Sequence, residues 1–364
     1  LTYFFLEILI RKTNSNYKIS NFLIYVFLAT ICDVMPLRKI NKIIGRYTID
    51  NFNIRNNLAL NHLFQLHNLK KKLTVDDLGF LVGPIINSGG RLKNSNYGVE
   101  LLSTDNLNII KDRSNKLINL NNKRKIIEKN ILDEIDFKKI KKENKSVIIY
   151  YKDNLNEGLI GIIASRLKDY FNKPAIVITK SNNKFKASAR STTTYNIGNL
   201  VKLLIDNNIV DSGGGHNMAA GFTMKKNNIK MLDNFIQKDY SKKNSSLENS
   251  NKYDFELSSS AIRNNLFNDI NKLGPFGNFN FLPIFLIKNL RVIKSNVINK
   301  NHISAIMRAD TGPTFKTICF NCLNTNIGKY LLSYKKKINI IAEIHENIWN
   351  NKKTVQLNIK DLIL

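Results

Sequence analysis

Acidic residues are scarce in this chain: 28 Asp and Glu stand against 56 Lys and Arg, a formal charge of +28 over 364 residues. That imbalance argues against an anion-repelling surface and points to a polyanion, either nucleic acid or an anionic membrane. Part of it reflects a Lys-, Asn- and Ile-rich composition of the kind an A+T-rich genome produces, so charge alone does not name the partner. Cysteine is also scarce. Three residues, Cys32, Cys319 and Cys322, make no disulfide framework and fit a reducing cytoplasm. The Cys319-Phe320-Asn321-Cys322 pair has zinc-knuckle spacing but no second ligand pair, so two ordinary strand residues are the better reading. Long apolar runs and targeting signals are missing as well. The longest run, Phe22 to Cys32, is too short to span a bilayer and reads as a buried helix.

What is present divides into three textures. Apolar helical stretches at Thr2–Lys12 and Phe22–Ile31 lead into Asp33-Val34-Met35-Pro36-Leu37. A polar helical region then runs to about Asp77, and the Gly- and Pro-containing segment Gly83 to Leu92 reads as a loop. From Asp105 to Ile140 there is neither Gly nor Pro, and a long connecting helix with a basic solvated face is predicted. An α/β alternation follows: strands at Ser146–Tyr151, Ala175–Thr179, Phe185–Ala189 and Ala220–Met224, helices at Gly158–Tyr170 and Ile197–Ile205. A polar linker is predicted over Ser241–Lys252. Beyond it, six short strands (Pro283–Ile287, Arg291–Val297, Ser304–Arg308, Lys316–Cys322, Ile338–Ile344 and Val355–Ile359) suggest a small barrel of the oligonucleotide-binding type.

Gly213-Gly214-Gly215-His216 carries the most specific chemistry. Three residues without Cβ let backbone N–H groups approach a phosphate, and the histidine adds a side-chain donor. A tight turn with a buried histidine is the plainer alternative. In the phosphate-loop reading, Ala219, Ala220 and Gly221 would let the next element pack tightly behind the loop.

Taken in order, Ala29 to Leu37, Gly83 to Leu92, Asn156 to Leu167 and Ser212 to Gly221 resemble the RecJ family of single-strand-specific exonucleases in the DHH/DHHA1 phosphoesterase superfamily. Leu273-Gly274-Pro275-Phe276-Gly277-Asn278 is similar to the turn that opens that family's barrel, and Trp349 to Leu362 to its last strands. The fold implied is α/β with an all-β barrel. Residues 1–104 would be the carboxyl-terminal part of a DHH domain, 105–143 the connecting helix, 144–240 a DHHA1 substrate domain and 250–364 an OB-like domain. The family's metal aspartates and histidines lie mostly in motifs that this chain does not show. It contains no Asp-His-His and no Asp-x-Asp, and its first residues, Leu1 onward, read as the middle of a helix in a fragment. Such a fragment is expected to lack hydrolytic activity by itself.

The resemblance implies roles residue by residue. Asp33 would ligate one of two Mn²⁺ or Mg²⁺ ions, and His216 would act on the scissile phosphate with the amides around Gly214 and Gly215. Ser188, Arg190 and Ser191 would grip nucleotide phosphate, and Arg91 would meet a backbone phosphate or form an ion pair. Arg166 reads as a structural ion pair, and Phe276 as packing for its turn. Leu155-Asn156 stand where the family places Trp-His, which removes any role resting on that histidine. In the barrel, Lys329-Tyr330, Tyr334 to Lys337, and Trp349 near Lys352 and Lys353 interleave cations with rings as a strand track does. His62, His67, His302 and His345 receive no role. The implied activity is 5′-to-3′ hydrolysis of single-stranded DNA in repair and recombination, by a cytoplasmic monomer. A single-strand-binding protein or a helicase is the protein partner to expect, and no membrane. Two other readings stand beside it: a phosphodiesterase acting on oligoribonucleotides or cyclic dinucleotides, and a non-catalytic strand-binding module.

Overall fold

The computed structural model describes residues 1–69, 71–92, 94–181, 184–244, 253–299, 301–310, 312–333, 337–349 and 352–363. The described chain runs through helices α1 (Thr2–Lys12), α2 (Leu23–Cys32), α3 (Lys39–Asn51), α4 (Leu58–Leu66), α5 (Gly83–Leu92), α6 (Asn96–Leu102), α7 (Leu107–Asp133) and α8 (Phe137–Glu143). An α/β segment follows: β1 (Ile148–Tyr151), α9 (Glu157–Phe171), β2 (Ala175–Ser181), β3 (Lys184–Arg190), α10 (Ile197–Asp206), β4 (Ser212–His216), β5 (Ala219–Met224) and α11 (Ile229–Asn244). The last stretch holds β6 (Phe255–Glu256), α12 (Asn264–Lys272), β7 (Ile284–Ile298), β8 (His302–Ala309), β9 (Thr314–Cys319), α13 (Asn326–Ser333), β10 (Ile338–Trp349) and β11 (Lys352–Ile363). The chain divides into two compact units. One comprises Leu1–Phe52, Lys72–Gly79 and Asn249–Leu364, the other Asn53–Lys71 and Phe80–Glu248.

The segment expected to be a loop, Gly83 to Leu92, is the helix α5. It continues a π-helical turn at Asp77–Val82. Pro84 has no N–H for the carbonyl four residues back, and the widened turn ahead of it absorbs that loss. The glycines serve packing here: a Cβ on Gly89 would lie 2.6 Å from the Asn94 carbonyl and 3.2 Å from Leu117 of α7. The long connecting helix also ends earlier than its composition suggested. α7 stops at Asp133, Ile135 is buried, and the Asp136 carboxylate accepts from the Lys139 amide at 2.9 Å to start α8. The linker expected over Ser241–Lys252 begins as the end of α11, and residues 245–252 lie outside the described ones.

The five-stranded sheet has the order β1-β2-β3-β5-β4, parallel between β1 and β2 and antiparallel elsewhere. One face packs Phe185, Ala187, Ala189, Phe222 and Met224 against α10 and α11 residues such as Leu200, Leu204 and Ile236. On the other face Val177 and Ala175 meet Ile160, Ile163 and Leu167 of α9.

In the other unit, β7-β8-β9-β11-β10 closes on itself through a β10–β7 pairing, a five-stranded barrel with α13 between β9 and β10 in the chain. The strands expected at Pro283–Ile287 and Arg291–Val297 are one strand. Asn289 takes a left-handed φ of 58° between the two halves, a conformation asparagine tolerates. The first half of β7 pairs with β10 and the second with β8, so the bent strand closes the barrel. Cys319 ends β9 and Cys322 lies in the turn after it. Both are buried, and the Cys322 thiol donates to the Cys319 carbonyl at 3.3 Å.

One ion-pair network ties α7 to α9. Glu128 is buried, and its carboxylate accepts from Arg124 at 2.8 Å and from Arg166 at 2.7 Å. Arg124 is nearly as buried as Glu128, whereas the Arg166 side chain is 56% exposed. Glu128→Ala is expected to lower unfolding free energy by about 3–5 kcal/mol, because it strands a buried guanidinium. Arg166→Ala is expected to cost less than about 1 kcal/mol. Equilibrium urea unfolding of the two variants measures the contrast.

Candidate functional site

Strand alternation and sheet register together build one face. Phe185, Ala187 and Ala189 of β3 point into the core, so Lys186, Ser188 and Arg190 point the other way. Residues directly opposite in an antiparallel sheet share a face. Arg190 stands opposite Ala219 and Ala219 opposite His216; Ser188 opposite Gly221 and Gly221 opposite Gly214; Lys186 opposite Thr223 and Thr223 opposite Ser212. The result is three short rows, and the middle row ends in bare backbone. A Cβ on Gly214 would meet nothing within 4 Å, and one on Gly221 would reach only the Ala187 carbonyl at 3.6 Å.

The glycine run is therefore not a loop but the edge strand β4, exposed along its whole length. Its glycines have two separate causes. A Cβ on Gly213 would lie 2.5 Å from Phe222 Cβ, and one on Gly215 would lie 2.4 Å from the Ala219 carbonyl, so those two are set by packing on β5. Packing does not explain Gly214. Nor does Gly221 pack behind a loop; with Gly214 it forms a platform that a ligand can touch with no side chain between.

Neighbouring elements hold this face in place. Gly198 lets the first turn of α10 close on β4, for a Cβ there would be 2.9 Å from the His216 carbonyl. Asn196 donates from Nδ2 to Asn217 Oδ1 at 2.7 Å, and the Ile197 amide donates to the Asn217 carbonyl at 3.0 Å, fixing the turn after His216. The His216 residue itself is exposed. At the far end, Ser212 Oγ and Thr223 Oγ1 are 2.8 Å apart and Lys186 pairs with Glu157 at 2.6 Å. The Lys186 hydrogen bond, followed by one from Ser181, holds the Glu157 carboxyl below its usual range. Glu157, Ile160, Lys186, Ser212, Gly221 and Thr223 line a cleft of about 310 Å³ there.

Positive charge gathers beside the platform without full compensation. Arg190 Nη1 donates to Ser188 Oγ at 3.0 Å and to the Ala189 carbonyl at 2.8 Å, and its guanidinium packs on Gly161 of α9. Arg91, in the last turn of α5, donates from Nη1 to the Gly158 carbonyl at 2.9 Å. Burial lowers the pKa of both arginines. The charge of Arg91 adds to the effect on Arg190, and that of Arg124 to the effect on Arg91, with Glu128 opposing. Such half-buried, mutually repelling cations favour an anion between or beside them.

A DHHA1 domain family model matches residues 144–242, and a RecJ OB domain model matches residues 253–361. The single-stranded-DNA-specific exonuclease RecJ of Bacillus subtilis is 27% identical over 344 residues, covering 92% of this chain and 43% of that protein. Its counterpart from Haemophilus influenzae is 28% identical over 355 residues, 92% of this chain and 61% of that protein. Along most of its length the chain is similar to RecJ exonucleases, and it carries a DHHA1 domain followed by a RecJ OB domain. It spans about half the length of the curated relatives it matches. The crystal structure of Thermus thermophilus RecJ in complex with Mn²⁺ shares the fold, with a TM-score of 0.77 at 18% identity over 95% of this chain and 50% of that one.

Of the residues singled out from the RecJ resemblance, the structure brings Ser188, Arg190, Gly214 and His216 onto one face and places Arg91 beside Arg190. Gly215 points to the opposite face. Ser191 does not join them: it is buried, and its hydroxyl donates to the Tyr195 carbonyl at 2.6 Å. Asn156, in place of the family's histidine, caps α9 by accepting from the Gly158 amide at 2.9 Å. Asp33 belongs to the other unit, exposed at the end of α2. Among the described residues no three His, Cys, Asp or Glu side chains gather as a metal site, so Asp33 offers one carboxylate and no complete centre. No described helix is long and apolar enough to cross a membrane. In the barrel, Lys329 and Tyr330 are exposed on α13. Residues 334–336 and the side chains of Trp349, Lys352 and Lys353 lie outside what is described, and Lys337 pairs with Asp310. Sequence reasoning missed Gly221, Ser212 and Thr223. Alternation through β5, with buried Ala220, Phe222 and Met224, was the available signal.

Two alanine substitutions separate the glycines. Gly214→Ala is expected to leave stability within about 0.5 kcal/mol while weakening phosphate-dependent binding. Gly215→Ala is expected to destabilise by about 1–3 kcal/mol through overpacking. Thermal unfolding paired with single-strand binding reads both.

Proposed function

We propose that this chain grips the end of a DNA single strand and contributes to phosphodiester hydrolysis by a two-metal exonuclease acting 5′ to 3′ in repair and recombination. The carrying observation is the face on which Arg190, Ser188 and His216 surround the bare Gly214–Gly221 platform. Arg91 and Arg190 together suit a terminal phosphate monoester, which carries about −1.5 to −2 charges, better than an internal diester with one. Arg190 presents a planar fork to phosphate oxygens, and Ser188 orients that fork through its hydroxyl. His216, exposed at the end of its row, would hydrogen-bond the phosphate as negative charge builds on it. The open platform lets the backbone of β4 and β5 approach the same group.

The Thermus thermophilus relatives are described in complex with Mn²⁺ and with Mg²⁺. Two such ions, when bound, would supply an activated water and stabilise the attacking and leaving oxygens. Asp33 would furnish one hard oxygen ligand toward that centre. The remaining ligands are not among the described residues, so this chain alone should bind a strand without cutting it. The barrel, with its RecJ OB match, would bind the strand as well and argues against a small cyclic-dinucleotide phosphodiesterase. Action as a monomer in the cytoplasm belongs to the same proposal, with a single-strand-binding protein or helicase as partner.

Fluorescence anisotropy of a 5′-phosphorylated oligonucleotide tests the site. Arg190→Ala should weaken binding and flatten the slope of log affinity against log salt by about 0.7, the loss of one phosphate contact. A 5′-hydroxyl strand should bind the unsubstituted chain more weakly than the phosphorylated one. Unchanged affinity and slope in Arg190→Ala would overturn the phosphate assignment.

A further inference from the structure

Two motifs that look independent in sequence meet in one unit. The turn after α2, Asp33 to Leu37, lies against the Phe276–Phe279 turn ahead of the barrel. Asn278 donates from Nδ2 to the Val34 carbonyl at 2.5 Å and accepts the Leu37 amide on its own carbonyl at 2.7 Å. Leu37 is fully buried, and a Cβ on Gly277 would lie 3.1 Å from its side chain. Arg38 donates to the Phe279 carbonyl, and Phe276 packs on the barrel core.

Val34 makes this contact consequential. Its φ is 54°, the left-handed conformation that closes a helix when glycine or asparagine occupies the position. The closing bonds are present: the Met35 amide donates to Thr30 O at 2.9 Å and the Val34 amide to Ile31 O at 3.2 Å. For a β-branched residue this conformation is strained. Val34 is 64% exposed, so burial does not offset the strain. The hydrogen bond from Asn278 and the anchor at Leu37 do. Asp33 immediately precedes Val34, and the direction of its carboxylate follows from that turn.

We propose that Asn278 is a positioning residue for Asp33: by holding Val34 left-handed, the barrel's opening turn fixes where the carboxylate points. The proposal rests on the reading of Asp33 as a metal ligand, and it is tested by a measurement that does not involve metal. Hydrogen exchange of the whole chain is followed at the Val34 and Met35 amides, which report the closing bonds. Asn278→Asp keeps the shape and removes the donor, and Asn278→Ala removes both. Each should speed exchange at those two amides about tenfold, as for one lost hydrogen bond, and leave β8 and β9 unchanged.

Rescue distinguishes positioning from general support. Glycine adopts the left-handed conformation without strain, so in a Val34→Gly background Asn278→Asp should change exchange by less than about twofold. Equal acceleration in both backgrounds, or none in either, overturns the proposal. So does loss of protection spread through β8 and β9 in the Asp variant. Failure of the metal reading would show separately, as Asp33→Asn leaving Mn²⁺ affinity unchanged in a protein with a complete metal centre while the exchange coupling persists.

Discussion

The side-chain period of two across β3, β5 and β4 is the constraint on which the proposed site depends. Because every second residue of β3 is committed to the core, Ser188 and Arg190 have no choice of face. Register then decides what stands beside them. A slip of one residue would bring Gly213 and Gly215 to the open face and send Gly214 and His216 into the packed one. The close fits at Gly213, Gly215 and Gly198 thus serve function indirectly. They pin the register that leaves Gly214 and His216 uncovered.

Electrostatics supply the second half of the design. Four arginines, Arg91, Arg124, Arg166 and Arg190, approach one region of the unit that holds the α/β sheet, and Glu128 accepts from two of them. Arg124 and Arg166 share one carboxylate, Glu128, where α7 meets α9. Among the described residues, Arg91 and Arg190 bond to neutral oxygens. The same cluster therefore stabilises the contact of the long helix with the α/β domain and keeps two cations available. The net charge of the chain said little about this. The distinction lies in which guanidinium finds a carboxylate.

Much of the architecture was legible because it rests on local patterns. Alternation in Phe185 to Ala189 and in Ser304 to Arg308 gave strands, and apolar spacing in Gly158 to Tyr170 gave a helix, all close to the observed elements. Errors came where one residue type serves two opposed purposes. Glycine and proline in Gly83 to Leu92 suggested a turn, yet there they allow close helix packing after a π turn. Three glycines suggested a loop, yet two of them permit strand pairing. Ser191 followed a phosphate-gripping motif in sequence but turns inward, which the pattern could not show since β3 ends at Arg190. The meeting of Asn278 with Val34 is a contact across more than half the chain, and no local pattern encodes it.

The edge strand has a consequence for how copies of this chain behave in solution. β4 presents unpaired backbone along an exposed border, and its three glycines offer no side chain to obstruct another strand. Edges of that kind invite pairing between molecules. Lysines, proline or a bulge, the usual obstacles, are absent from Ser212 to His216. What remains to keep two such borders apart is mutual repulsion between bodies each carrying a formal +28. Salt screens that repulsion within about 8 Å at physiological ionic strength. A nucleic-acid strand bound as proposed would neutralise part of it and cover the bare backbone at the same time. The proposed ligand that would remove the charge barrier would also shield the surface the barrier protects.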